Sequence, residues 1–193
     1  MYLHEDKLVI AEMVAAANAS SGIEQTYIYK DYFVCMALRE IVAEYPAFIF
    51  KGGTALSKCY GLINRFSEDV DLGLEALRPT EGMRKKTKSA IQTAMDKLGL
   101  SIANIEETRS RRSFNQYKVP LPEFIPHLQS DTLIIESGLM TPATPFQHGQ
   151  VISFIGEMLL SQGRQDVIEQ YNLESFDINV VSLERTFADK IFS

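Results

Sequence analysis

The feature that most constrains this chain is a short apolar run that breaks into two glycines. Phe48-Ile49-Phe50-Lys51 leads directly into Gly52-Gly53-Thr54-Ala55-Leu56-Ser57-Lys58, and 15 residues then separate Gly53 from Asp69-Val70-Asp71-Leu72. The apolar run reads as a buried strand and Thr54–Leu62 as a short helix that starts with no linker between them. Such a junction needs a backbone that takes positive φ or passes close to another group, and glycine allows both. Val70–Leu74 reads as the next strand. Side chains alternate faces along a strand, so Asp69 and Asp71 share one face while Val70 and Leu72 turn to the core.

Those two halves carry complementary chemistry. A glycine turn at a helix start presents unpaired N–H groups and a partial positive charge, which together cradle phosphate. Lys51 and Lys58 are candidates to add charge there, and Thr54 and Ser57 to add hydroxyl donors. Two carboxylates on one strand face repel each other unless a cation lies between them. Mg²⁺ suits the pair, because it takes a few carboxylates and completes its shell with substrate phosphate oxygens. Mn²⁺ would serve in the same place. A phosphate cradle beside paired carboxylates points to metal-assisted phosphoryl or nucleotidyl transfer. The candidate residues are Lys51, Gly52, Gly53, Thr54 and Ser57 for the nucleotide and Asp69 and Asp71 for the metal.

The rest of the chain reads as alternating helices and strands. Helices are expected over 5–19, ended by Ser20-Ser21-Gly22, over 29–44, and from an N-cap at Thr80 to about Leu98, ended by Gly99. Strand-like segments follow near 101–107, 113–119 and 132–137. Thr141–Pro145 reads as a loop, 151–170 as a helix with a weak point at Gly163, 176–181 as a strand, and Leu183 onward as a helix. That last helix reaches Ser193 with neither a cap nor a stop signal, which predicts a chain continuing into a longer protein. The expected division is a nucleotidyltransferase domain with N-terminal helices over 1–140, and over 141–193 the start of a helical region.

Of the 193 residues 46% are hydrophobic and 23% charged, an ordinary globular balance. No apolar run is long enough for a membrane helix, and the N-terminus lacks the pattern of a signal peptide, so a cytoplasmic protein without a membrane partner is expected. Cys35 and Cys59 read as reduced core residues. His4, His127 and His148 lack metal-ligand spacing, and the last two read as loop residues. The net charge is −6, which conceals two basic clusters: Arg84, Lys85, Lys86 and Lys88, and Arg109, Arg111 and Arg112. Each is either a solvated face or a phosphate-steering rim.

The Gly-Gly then Asp-hydrophobic-Asp signature resembles the polymerase-beta nucleotidyltransferase superfamily. Within it, Lys51–Ser57 together with Arg65–Leu72 closely resembles the AbiEii/AbiGii toxin family of abortive-infection and toxin–antitoxin systems. Lys30-Asp31-Tyr32-Phe33 and Leu183–Lys190 are similar as well, so the resemblance spans roughly residues 25–192. It implies an α/β polymerase-beta-like fold, a small mixed sheet flanked by helices with a helical C-terminal part. It also implies a third carboxylate on a later strand, where Glu136 fits as a metal ligand or activator of the acceptor hydroxyl, and a phosphate-binding lysine on a late helix, matched by Lys190. Family members carry a further helical stretch with Arg and Asp beyond that lysine, and this chain ends before it.

The activity implied is transfer of a nucleoside monophosphate from an NTP to an acceptor, with RNA and above all tRNA as that acceptor, and growth arrest checked by a cognate antitoxin. A small-molecule nucleotidyltransferase of the antibiotic-modifying kind shares the motif, as does a catalytically inactive nucleotide-binding module.

Overall fold

The computed structural model describes residues 1–62, 69–76, 78–109, 112–125, 128, 132–139 and 143–192, with the side chains of Lys190 and Phe192 excepted. Arg65–Glu68 of the motif, Arg111, His127 and Thr141-Pro142 lie outside the described residues.

A six-stranded mixed sheet forms the centre. Its strands are β1 (Ile49–Lys51), β2 (Asp69–Gly73), β3 (Phe114–Pro120), β4 (Thr132–Gly138), β5 (Phe146–Val151) and β6 (Phe176–Val181). Their order is β3-β4-β2-β1-β6-β5. β1 runs antiparallel to β2 and parallel to β6, β2 runs parallel to β4, and both edge strands are antiparallel to their neighbours. The sheet expected from the sequence is therefore present and mixed. It extends past residue 140, since β5 and β6 continue it beyond β1.

One face of the sheet is dry. Phe50, Val70, Leu72, Tyr117, Val119, Leu133 and Ile135 are fully buried there. The helices α1 (Lys7–Ser21), α2 (Gln25–Glu44), α4 (Glu81–Lys97), α5 (Phe154–Ser161) and α6 (Gln165–Tyr171) pack together as the second layer. α2 is the central member, buried along nearly every turn from Ile28 to Leu38. The short α3 (Gly52–Lys58) follows β1, and α7 (Leu183–Phe192) follows β6. Burial of this apolar layer drives the fold. None of the described helices is long and apolar enough to cross a membrane.

Local signals set the helix ends. The Asp6 carboxylate accepts from the amides of Leu8 and Val9 at the start of α1, and Gly22 closes that helix at φ +73°. The Thr80 hydroxyl accepts from Met83 N, as the sequence predicts.

Three readings change. Residues 101–107 are not a strand but a loop with a short 3₁₀ turn at Ile105–Glu107, held along β3 by Asn104. The segment 151–170 is two helices, because Gly163 sits at φ +68° between them. Residues 146–151 form an edge strand, which places His148 opposite Asn179 rather than in a loop. An edge strand with a polar face lacks the apolar alternation that reveals a buried one. Cys35 and Cys59 are free thiols, the first buried and the second half-buried.

Candidate active site

The face opposite the helical layer carries its charged and polar side chains in rows set by strand register. Lys51 on β1 pairs with Asp71 on β2, Asp71 with Glu136 on β4, and Glu136 with Gln116 on β3. Adjacent strands lie about 4.8 Å apart, so these four side chains form one row about 15 Å long. A second row holds Asp69, Ile134 and Lys118. A third holds Ile49, Gly73, Gly138 and Phe114, with the pairs Ile49–Gly73 and Gly138–Phe114 directly in register.

The row is held together by specific interactions. Gln116 Nε2 donates to Glu136 Oε1 at 2.9 Å. Glu136 in turn hydrogen-bonds Asp71. Burial first, then Glu136 and Asp69, push the Asp71 carboxyl up to about 6, while the Lys51 ammonium opposes them. The crowded Asp71 carboxyl holds its proton more tightly than a free aspartate does, and a cation placed beside it would relieve the same crowding of charge.

Gly52 closes the row from above. It sits at φ +81°, and a Cβ placed on it would lie 1.9 Å from Asp71 Oδ2. The glycine is thus required twice, by its backbone and by the carboxylate packed against it. A Cβ on Gly73 would meet Ala143 Cβ at 2.8 Å and lie 3.7 Å from Lys51 Cδ, and one on Gly138 would lie 3.1 Å from Lys51 Nζ. Neither of these two glycines has positive φ. Their missing side chains form a trough in which the lysine lies flat across β2 and β4.

The other candidates divide. Thr54 is buried and its hydroxyl donates to the carbonyl oxygen of Asp69 at 2.5 Å, so its proton goes to the framework of β2. Ser57 is half-buried on α3, and Gly53 is half-buried at its start. Lys190 lies on α7, with its side chain outside the described residues. Lys58 does not add charge to the cradle. Its ammonium is buried, forms an ion pair with Asp31 of α2, donates to Ile152 O at 3.1 Å and lies 4.0 Å from the centre of the Phe154 ring. The sequence reading missed Gln116, Gly73 and Gly138, which become visible only once β3, β4 and β2 are placed in register. It also missed the Asp31 partner of Lys58, which has no local sequence signal.

Among the described residues no group of three His, Cys, Asp or Glu side chains gathers at metal-binding spacing. The donor set nonetheless fits a hard divalent cation. Asp71 and Glu136 stand in register on adjacent strands and offer neighbouring oxygens, and Mg²⁺ needs only one or two carboxylates plus phosphate oxygens. Asp69 stands one row along the same face.

No curated protein matches the chain. Among solved structures it resembles MenT4, a nucleotidyltransferase toxin from Mycobacterium tuberculosis H37Rv, with a TM-score of 0.51 and 16% identity over 96% of this chain. The match covers 57% of the length of MenT4, and at that identity it concerns the fold. A family model described as nucleotidyl transferase AbiEii toxin, type IV toxin–antitoxin system, matches residues 37–193, which include every candidate above. The chain therefore belongs to the AbiEii family of nucleotidyl transferase toxins.

Proposed function

We propose that the protein transfers a nucleoside monophosphate from an NTP to RNA, tRNA foremost, as the toxin of a cytoplasmic toxin–antitoxin pair whose cognate antitoxin relieves growth arrest. The observation that carries this reading is the row Lys51–Asp71–Glu136, with Gly52 pressed against the Asp71 carboxylate. Asp71 and Glu136, with Asp69 beside them, would hold Mg²⁺. The cation supplies charge neutralisation for the transferring phosphoryl group. Lys51, the Gly52-Gly53 backbone and Ser57 face the triphosphate, and Lys190 is proposed as a further phosphate contact on family resemblance alone.

In the reaction the acceptor hydroxyl oxygen attacks the α-phosphorus. The bond from that phosphorus to the oxygen bridging to the β-phosphate breaks, and pyrophosphate leaves. The hydroxyl proton passes to a Glu136 carboxylate oxygen, which stands beside Asp71 on the neighbouring strand. Small-molecule transfer would call for a closed acidic pocket. Among the described residues Asp69, Phe114 and Lys118 are exposed on this face and Arg112 is exposed at its β3 side, an arrangement that favours a polyanionic acceptor.

The test is incubation with each α-labelled NTP, Mg²⁺ and total RNA. Label should enter RNA, and Asp71→Ala should abolish transfer by several orders of magnitude with an unchanged circular dichroism spectrum. Label recovered only in a small molecule would overturn the choice of acceptor. Growth arrest by Asp71→Ala as strong as by the wild type would remove catalysis as its cause.

A further inference from the structure

Beyond the carboxylates, the same face continues onto β3 with an aromatic, an amide and a cation in succession. Phe114, Gln116 and Lys118 occupy alternate positions on the same side as Glu136. At about 4.8 Å per strand and 3.4 Å per residue, Phe114 and Lys118 stand about 7 Å to either side of Gln116 and about 10 Å across from the Asp71 strand. The Phe114 ring reaches back toward the site: its Cδ2 would be 4.0 Å from a Cβ on Gly138, the glycine beneath the Lys51 ammonium. Phe114 is 48% exposed. Beside it a cavity of about 190 Å³ is lined by Asn104, Glu107, Arg112, Phe114, Gln116 and Lys118.

We propose that this β3 platform seats the single-stranded end of the acceptor RNA, with a base stacked on Phe114 and backbone phosphates against Lys118 and Arg112. The inference rests on the RNA reading above and adds where, and by which residues, the acceptor is held. Surfaces for single-stranded nucleic acid combine stacking aromatics with cations that follow the backbone, and this face supplies both within reach of the reacting carboxylates.

Two further observations narrow the occupant. First, the outer edge of β3 is not open to an added peptide strand. The Asn104 side chain bonds Gln116 O and Lys118 N, Ala103 N donates to Lys118 O, and Arg109 N bonds the Asn115 side chain. A ligand here must bind the face rather than extend the sheet. Second, the side chains of the other basic cluster each already have a partner within the chain. Lys85 pairs with Glu81, Lys86 lies over Tyr45, Lys88 donates to Thr108 O and Arg84 to Pro79 O. Among the described residues no carboxylate pairs with Lys118 or Arg112, and Arg112 reaches only the carbonyl of Glu107, at 3.4 Å. In a chain of net charge −6, Lys118 and Arg112 put two exposed cations beside the site among the described residues.

The test is fluorescence anisotropy with a labelled single-stranded RNA 12-mer, alongside calorimetry with ATP and Mg²⁺. Phe114→Ala should weaken RNA binding about 5- to 100-fold, and Phe114→Tyr should restore it. Lys118→Gln should lower the slope of log affinity against log salt by about 0.7, the value for one phosphate of a single strand. Nucleotide binding should not change in any of them. In label transfer, Phe114→Ala should raise KM for RNA and leave KM for the NTP unaltered. RNA binding equal to wild type in both Phe114→Ala and Lys118→Gln would overturn the platform, and label still entering RNA would then leave the transfer reading standing. A wild-type protein that binds no 12-mer overturns the platform as well. The RNA reading fails with it only if label goes to no RNA.

Discussion

Replacing Gly52 by alanine tests the closest approach in the site. Gly22 and Gly52 have similar positive φ, +73° and +81°, but nothing lies within 4 Å of a Cβ on Gly22, whereas one on Gly52 would meet Asp71 Oδ2 at 1.9 Å. Left-handed strain alone costs about 1–2 kcal/mol for either substitution. At Gly52 the carboxylate must also retreat by about 1.5 Å to reach the 3.4 Å of ordinary contact. That movement takes Asp71 off its rotamer and away from Glu136, for about 1–3 kcal/mol more. Gly22→Ala should therefore cost about 1–2 kcal/mol in urea denaturation and Gly52→Ala about 2–5 kcal/mol. In an Asp71→Ala background, where only the Cβ at 3.1 Å remains, Gly52→Ala should fall back to the Gly22→Ala value. Equal losses for the two glycines in the wild-type background would refute the packing of Asp71 against the turn.

The Asp71 carboxyl, held up to about 6 by burial and by Glu136, binds its proton more tightly folded than unfolded. Its contribution is therefore present below pH 4 and is lost as pH rises to about 6, on the order of 3 kcal/mol; Asp71→Asn should flatten that decline in denaturation midpoints, and a decline of the same depth in the variant would refute it. Millimolar Mg²⁺ should raise the melting temperature at pH 7.5 more than at pH 5, since it competes with the proton, and should do neither in Asp71→Asn; a shift independent of pH would place the cation elsewhere. Asp31→Ala, which strands the buried Lys58 ammonium, should destabilise by about 3–5 kcal/mol, and Asp31→Leu with Lys58→Met should recover most of that. A loss below 1 kcal/mol for Asp31→Ala would mean the pair is wet.

What could be read from the sequence is what depends on local rules. The alternation of Asp69–Leu72, the Thr80 cap and the strand at 176–181 each follow from period and capping, and each is present. The apolar positions Ile155, Met158, Leu159, Val167 and Ile168 continue across Gly163, so periodicity alone could not separate two helices there. The facing of Glu136 toward Asp71 is a property of parallel pairing between strands more than sixty residues apart in sequence. The same holds for Gln116 and for the two glycines under Lys51. Lys58 looked like a phosphate ligand because it ends the glycine-led helix, yet its direction is set by Asp31 on a helix that comes before β1 in the chain.

That misreading shows how the site is kept in register. β1 is only three residues long, and a one-residue slip would turn Lys51 into the core and bring Phe50 to the open face. Two hydrogen-bonded neighbours alone are a weak restraint on so short a strand. α3 supplies the rest, because its start is continuous with β1 and its body is tied on several sides. The Thr54 hydroxyl bonds Asp69 O in β2, the Lys58 ammonium joins Asp31 in α2 and Ile152 O before α5, and just past the helix the Tyr60 hydroxyl bonds Val181 O in β6 at 2.6 Å. Phe154 N also bonds Asp31 at 2.8 Å, so the same carboxylate fixes the start of α5. A buried ion pair adds little net stability over apolar residues of similar size, but it accepts only one arrangement of its partners. Here that arrangement holds the first turn of α3 over Asp71. The acidic row can then stay close-packed on one side of the sheet while a committed charge pair locks the helix on the other.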